Sequence, residues 1–371
     1  MDKKVKKYDF LIVGAGLFGS TFAHLASQSG KRCLVVDKRS HVGGNCYSRK
    51  SFGIDVHLYG PHIFHTSNAE TWKLVDSISS MSPFYNQPLA FYRGEVFNLP
   101  FNMNTFKQIY GVSEPASIER CIANDIVPNS CPTNLEEYCL STVGKTIYEK
   151  LVKGYTEKQW GKKCIELPAS LIKRLPLRMT FDNMYFSDQY QGVPANGYGH
   201  LFSQLLKDCD VALDCDYFCN KELFDGMAER ILYTGRLDEL FGERKLEYRG
   251  LIFEHKILPT INHQGCAVIN YTDSCLPYTR VIEHKHFNQS NNSLCSVISY
   301  ETPVSCDDTD AIECYPVPTA INQSLHEEYV SMAKKLPKVI FGGRLADYRY
   351  YNMDTTIEKA IELWERTKMS L

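Results

Sequence analysis

The chain has 371 residues, 44% of them hydrophobic and 23% charged, with 41 basic against 43 acidic side chains and a formal charge of −2. This is the composition of a globular protein long enough for two or three cores, and its balanced charge excludes a general attraction to nucleic acid or to an anionic membrane. The 14 cysteines form no CxxC pair and no zinc-like Cys/His spacing, so no metal is expected, and thiols scattered in this way suggest a reducing, cytoplasmic setting.

Lysines precede an apolar stretch at the start, but Tyr8-Asp9 interrupt it, and Gly14, Gly16 and Gly19 break it too early for the core of a secretion signal. Nowhere do about 18 apolar residues run together, so no membrane span is expected. Tyr8 to Val13 reads as a buried strand. From Phe18 to Ser29 the residues Phe18, Phe22, Leu25 and Ala26 recur at helical spacing, and Gly30 ends the helix. Cys33 to Val36 is a second apolar strand, stopping at Asp37.

The middle of the chain changes character. Leu135 to Gln159 and Ala169 to Leu175 read as mostly helical, whereas Cys266 to Tyr271 and Thr279 to His284 alternate like antiparallel strands. Val339 to Phe341 is a late strand before Gly342-Gly343. Thr355 then opens a last helix with Ile357, Ile361 and Trp364 on one face, and Thr355-x-x-Glu358 fits a capping box. A strand, glycine turn and helix so late in the chain predict a return to the first domain.

Gly14-x-Gly16-x-x-Gly19 sits between the first strand and the first helix, where a pyrophosphate would meet unpaired N–H groups and the positive helix end. Asp37, about 20 residues on, can accept from a ribose 2′-hydroxyl and would repel a 2′-phosphate. Lys38, Arg39 and Gly43-Gly44-Asn45 follow directly, and Gly342-Gly343-Arg344 offers a third thin stretch of backbone ahead of a helix N-terminus that favours negative charge on a reduced ring. Three such stretches fit FAD better than NAD. No second GxGxxG is present to dock NADPH for repeated hydride delivery.

Two stretches, Gly154 to Gly161 and Phe181 to Tyr190, concentrate aromatics and amides that can face a base or a sugar or else fill an interdomain seam. Arg174, Arg178, Arg249, Arg280 and Arg344 lie in or beside aromatic stretches, and a guanidinium fork suits a diphosphate. His62 and His65 have no third ligand or nucleophile paired with them, so neither a metal site nor a Ser/His hydrolase is expected. His284-Lys285-His286 reads as the polar side of a strand.

Six strings, in order, resemble the bacterial UDP-galactopyranose mutases: Gly60-Pro61-His62-Ile63-Phe64-His65-Thr66, Phe97 to Met103, Gly154 to Gly161, Phe181 to Tyr190, Pro277-Tyr278-Thr279-Arg280, and Phe341-Gly342-Gly343-Arg344 onward. The resemblance covers essentially the whole chain. It implies a mixed α/β fold with a discontinuous Rossmann-like FAD-binding domain (1–80, 200–245 and 335–371). It further implies a helical domain (105–190) that carries a mobile loop at 168–178 and serves dimerisation, and a twisted antiparallel sheet (81–104 and 246–334). The implied activity is the redox-neutral ring contraction of UDP-galactopyranose to UDP-galactofuranose, in which N5 of reduced FAD attacks the anomeric carbon and an iminium adduct opens the ring. An external reductant such as NAD(P)H or a reducing protein would keep the flavin reduced, the enzyme would be a homodimer, and the furanose would feed a bacterial surface glycan.

Carried onto this sequence, the resemblance makes Arg174 and Arg280 the grip on the diphosphate. His62 lies next to the flavin, and Tyr350 is a tyrosine that donates to phosphate or shapes the pocket. Asn86, Tyr155, Thr156, Trp160, Tyr185, Phe186, Asn270, Tyr315 and His65 face the substrate. Phe18, Pro61, Tyr351 and Met353 join Gly14, Gly16, Gly19, Asp37, Lys38, Arg39, Gly44, Asn45 and Arg344 around the cofactor. With the flavin as nucleophile, no Ser/His or Cys/His arrangement is required.

Two positions depart from the family pattern. Pro61 stands where relatives carry a small Ala, and Asn352 where they carry an acid, which leaves open a related mutase acting on UDP-N-acetylgalactose or dTDP-fucose. His65 is the residue of the plain galactose enzyme. The glycine framework also leaves open a flavin oxidase, or a nucleotide-sugar binder without catalysis.

Overall fold

The computed structural model describes residues 7–172, 177–242, 244–288, 292–308 and 311–369. The apolar runs Tyr8–Val13 and Cys33–Val36 lie side by side in a five-stranded, wholly parallel sheet. Its spatial order is Asp210–Ala212, Cys33–Val36, Tyr8–Val13, Ala228–Tyr233, Val339–Phe341. Both faces are covered, which is why these strands are continuously apolar rather than alternating. One face packs under Leu17–Gln28 and the C-terminal helix, with Phe10, Phe22 and Trp364 meeting edge to face at 5.4–6.0 Å. The other face packs on Tyr217, Phe224 and Tyr329. The last helix therefore does return to the first sheet.

That helix runs Met353–Lys368, and the predicted capping box at Thr355 and Glu358 does not form. Glu358 accepts instead from Asn68 Nδ2 at 2.9 Å and Thr71 Oγ1 at 3.1 Å, so a partner on the Ala69–Ile78 helix displaces the local reciprocal bond.

The Leu135–Gln159 stretch is helical in pieces. Leu135–Thr142 stops before Gly144, whose φ of 84° is a left-handed value no helix tolerates, and the chain resumes through a π-helical turn at Tyr148–Lys153 into Gly154–Trp160. Of the helix expected at Ala169–Leu175, a single 3₁₀ turn forms at Ala169–Leu171, and residues 173–176 lie outside the described residues.

The second large sheet has seven strands in the order Ile312–Pro316, Tyr248–Leu258, Ser296–Ser305, Arg280–Glu283, Val268–Tyr271, Leu89–Tyr92, Glu95–Asn98. It is antiparallel except where Val268–Tyr271 meets Leu89–Tyr92. Its register sets Asn270 opposite Arg280 and Arg280 opposite Glu301, so three polar residues share one face across three strands. The strand expected to run to His284 ends at Glu283, and His284-Lys285-His286 begins a 3₁₀ turn. There His284 is buried, with Nδ1 accepting from the His57 N–H and Nε2 bonded to Ser299 Oγ, so its burial turns the chain away from the strand's polar side.

Gly154 brings the helix down onto this sheet. A Cβ there would lie 2.3 Å from the Thr272 carbonyl oxygen. The Lys158 ammonium completes the junction by donating to the carbonyls of Tyr271, Asp273 and Tyr278 at 2.7–2.8 Å. Among the described residues, no helix is long and apolar enough to cross a membrane.

Candidate active site

The first strand ends in a groove made of backbone. Gly14 adopts φ 107°, its N–H bonds the Val36 carbonyl at 2.8 Å, and Gly16 bridges Gly43. A Cβ on Gly19 would meet the Gly14 oxygen at 2.1 Å, whereas a Cβ on Gly16 would meet nothing within 4 Å. No side chain caps the Leu17–Gln28 helix, so its first N–H groups remain available to an anion. Asp37 accepts from the Ala15 N–H at 2.7 Å and the Arg39 N–H at 2.9 Å, which fixes the carboxylate at the rim and leaves lone pairs for hydroxyls. Arg39 Nη2 donates to Asn45 Oδ1 at 2.9 Å, while its Nη1 is buried without a partner. An orphaned guanidinium N–H beside an uncapped helix end and a bare glycine fits the pyrophosphate of a dinucleotide.

Of the predicted cofactor residues, Gly14, Gly16, Phe18, Gly19, Asp37, Lys38, Arg39, Gly44, Asn45, Arg344, Tyr351 and Met353 line this groove, and so does His62. Pro61 does not line it, although it adjoins His62. His62 Nδ1 bonds the Gly60 carbonyl at 2.9 Å. A carbonyl can only accept, so Nδ1 holds the proton and Nε2 is left as an acceptor. Burial, then the nearby His57, Arg344 and Arg280, bring the His62 pKa down to about 3, so the ring is neutral across the physiological range.

The groove adjoins a second cleft of about 910 Å³, lined by Trp160, Ser170, Leu171, Tyr315 and Tyr350. The two share Phe18 and Tyr351. Arg280 stands near this junction, its Nε 2.5 Å from the carboxylate of Glu301, which is 0% exposed. Burial opposes the guanidinium's charge, but Glu301, Tyr155 and Tyr315 hold it well above its ordinary range. Tyr155, Tyr185, Tyr315 and Tyr350 surround this charge. Burial pushes Tyr155 up to about 12 and raises Tyr185 and Tyr315 as well, so the three phenols remain neutral donors. Tyr315 stacks on Tyr350 at 5.5 Å and lies 6.1 Å from Trp160, and the Arg344 guanidinium sits 4.8 Å over Tyr350.

Among the other predicted substrate residues, Thr156 is buried on the helix carrying Tyr155 and Trp160. Asn86 and Asn270 each bury an Oδ1 without a partner, as polar groups awaiting a ligand would. Phe186 packs against His65 at 3.7 Å and against Tyr185 at 5.2 Å, and His65 Nδ1 lies 2.7 Å from Asp188. That pair is turned toward its own neighbours. Arg174 lies outside the described residues.

The four of the five arginines that are described separate by partner. Arg178 donates to the Met184 and Tyr185 carbonyls, pinning the loop under Tyr185, and Arg249 caps the helix end through the Gln159 and Lys158 carbonyls. Arg280 pairs with Glu301, and Arg344 lines the groove while its Nη2 donates to the Cys314 carbonyl at 2.6 Å. Sequence reasoning missed Glu301, Lys158 and Gln159. Its one signal for Glu301 was an acid directly after the largely apolar run Val297-Ile298-Ser299-Tyr300. Among the described residues, no cluster of three or more His, Cys, Asp or Glu is arranged to hold a metal.

A parallel-sheet groove that fits a dinucleotide, adjoining a cleft beside which the half-buried Arg280 stands among neutral phenols, marks a Rossmann-type protein with a polar second site next to the groove. Comparison with known proteins agrees. The profile of the NAD(P)-binding Rossmann-like domain matches residues 12–78, and that of the UDP-galactopyranose mutases matches residues 150–350. The chain is 36% identical to the dTDP-fucopyranose mutase of Escherichia coli over 95% of this chain and 96% of that one. It is also 36% identical to the protein named "Probable UDP-galactopyranose mutase" in Klebsiella pneumoniae, over 95% and 93%. A crystal structure of reduced UDP-galactopyranose mutase shares the fold, with a TM-score of 0.76 at 12% identity over 98% of this chain and 94% of that one. The chain belongs to the UDP-galactopyranose mutase family, and it is an isomerase.

Proposed function

We propose that this enzyme interconverts UDP-galactopyranose and UDP-galactofuranose with FAD held in the glycine groove. The observation that carries this reading is Arg280, locked to a fully buried Glu301 and ringed by Tyr155, Tyr185 and Tyr315, beside a groove that fits a dinucleotide. A reduced flavin, when bound, supplies the nucleophile for the anomeric carbon. The chain's own residues act on the leaving group. As the bond from C1 to the diphosphate oxygen breaks, negative charge grows on that oxygen, and Arg280 is preorganised to meet it. Glu301 holds the guanidinium in place, and the three phenols donate to the remaining oxygens. His62, neutral and with Nε2 as acceptor, is suited to hold a hydroxyl or ring N–H near the reacting centre. Asn86 and Asn270 offer carbonyl oxygens to sugar hydroxyls.

The same reading assigns Arg174 as a second cation on the diphosphate and divides the chain into the three domains inferred from the resemblance. It makes the protein a cytoplasmic homodimer that needs an external reductant. The nucleotide-sugar class is supported by two relatives equally similar to this chain, one named for UDP-galactopyranose and one for dTDP-fucopyranose. UDP-galactose is preferred because His65 is the residue of the galactose enzymes.

The test is a panel of UDP-galactopyranose, its N-acetyl analogue and dTDP-fucose offered to dithionite-reduced enzyme, with ring size read by chromatography. Furanose should form from UDP-galactopyranose without net consumption of reductant. Peroxide released in step with turnover would instead identify an oxidase.

A further inference from the structure

Two cysteines that line neither the groove nor the cleft meet at the edge of the parallel sheet. Asp210–Ala212 is its outermost strand, where Asp210 pairs with Leu34 and Val211 with Val35. Continued one residue back, that register sets Cys209 beside Cys33. Residues side by side on neighbouring strands lie about 4.8 Å apart, inside the Cα separation of about 4.4–6.8 Å that a disulfide spans. Both cysteines also point to the same face. Cys33 and Val35 belong to the core under the Leu17–Gln28 helix, Leu34 and Val36 to the core on the opposite face, and Cys209 packs with the former. Its Sγ lies 3.7 Å from the Ala23 carbonyl oxygen of that helix.

The two thiols differ in reach. Cys33 is 2% exposed, whereas Cys209 is half-buried. A hydrogen bond from the Cys33 S–H to Cys209 pulls the Cys209 pKa down and, together with burial, pushes that of Cys33 up. The thiolate is the reactive form, so Cys209 attacks and Cys33 resolves. We infer that Cys33 and Cys209 are a dithiol that hydrogen peroxide oxidises to a disulfide. The Cys209 thiolate attacks one peroxide oxygen, the O–O bond breaks, and hydroxide leaves as water with the proton that Cys209 gave up. The sulfenic acid so formed is attacked by the Cys33 sulfur, whose proton departs with the hydroxyl as a second water while the S–S bond closes. Two electrons pass from the sulfurs to the peroxide, and a small dithiol reverses the change. The bond ties down the strand that braces the groove. The Ala212 carbonyl accepts from the Asp37 N–H at 3.0 Å, and the Cys215 N–H donates to the Asp37 carbonyl at 2.9 Å. A short edge strand opens locally, and a covalent link to its neighbour suppresses that opening.

The deciding experiment treats the enzyme as purified with stoichiometric hydrogen peroxide, blocks the remaining thiols and digests it with trypsin without reductant. Residues 33–38 should appear joined to residues 208–221, and dithiothreitol should part them. That second fragment also carries Cys215 and Cys219, so the joined peptide should vanish in Cys209→Ser. In Cys33→Val the sulfenic acid has no resolving thiol, and dimedone should label Cys209 more heavily than in the unaltered protein. Oxidation should slow amide exchange at Asp37 and Cys215 severalfold. Absence of the joined peptide from the unaltered enzyme, or its survival in Cys209→Ser, overturns the proposal. Unchanged exchange in fully oxidised protein overturns the bracing of the groove.

Discussion

The two sheets build their candidate sites by opposite means. At the end of the parallel sheet the groove is made of main chain: bare glycines, an uncapped helix end and a carboxylate that itself braces the loop. On the antiparallel sheet the polar groups are single side chains projecting from separate strands, above all Arg280 on Glu301. A backbone cradle spreads its hydrogen bonds over many N–H groups, so losing one side chain leaves most of it intact. A side-chain site concentrates charge in one or two groups and fails when either is removed.

The sharpest test of that contrast is Arg280→Ala. Removing a preorganised donor to a developing anion lowers kcat on the order of 10³-fold. The protein should still purify yellow, because Arg280 lies on the other sheet from the cradle. Turnover within tenfold of the unaltered enzyme would break the comparison. Lys158→Met comes next, since it leaves three carbonyls on the sheet without their ammonium donor. It should cost about 2 kcal/mol in urea unfolding and raise KM for the nucleotide sugar, as the helix bearing Tyr155 loosens on the sheet.

The same contrast explains what could be read in the residues beforehand. Tyr8–Val13, Gly14-x-Gly16-x-x-Gly19 and Cys33–Val36 make their defining contacts within about 30 positions of one another, the span of one βαβ unit. Their glycines state the backbone requirement directly. The partners in the other site are distant: Lys158 bonds carbonyls 113 to 120 positions away and Arg249 caps a helix 90 positions earlier. Nothing local separates Arg249 and Arg178, which serve main chain, from Arg280, which pairs with a buried carboxylate. Resemblance to a family singled out Arg280, but the charge beneath it, Glu301, appears only when the strands are laid in register. The capping box at Thr355 failed for the same reason, because Glu358 found Asn68 and Thr71 across the fold.

In the cradle, Asp37→Ala should be milder. The carboxylate's bonds to the Ala15 and Arg39 N–H groups are lost, but Gly14, Gly16 and the helix end remain. Flavin affinity should fall about tenfold, near 1.4 kcal/mol, and kcat in saturating FAD should be unchanged. Purification with a full complement of flavin would show that the backbone alone suffices.

The smallest effect concerns His62, which borders both regions. Its pKa in the folded protein is brought to about 3 by burial, whereas an unfolded histidine titrates near 6.5. Between those values the unfolded chain binds the proton and the folded chain does not, so folding loses stability as pH falls from about 6.5 toward 3 and recovers it as pH rises. In His62→Gln that contribution is absent, so stability from pH 6 to pH 4 should fall less steeply, by about 1.4 kcal/mol per pH unit at most. Above pH 7 the two proteins should show parallel curves, because both forms of the side chain are then neutral. If urea unfolding instead gave the same acid slope for both, His62 would titrate in the fold as it does in the unfolded chain, near pH 6.5. Its ring could then serve as an acceptor at the meeting point of the two sites only above that pH.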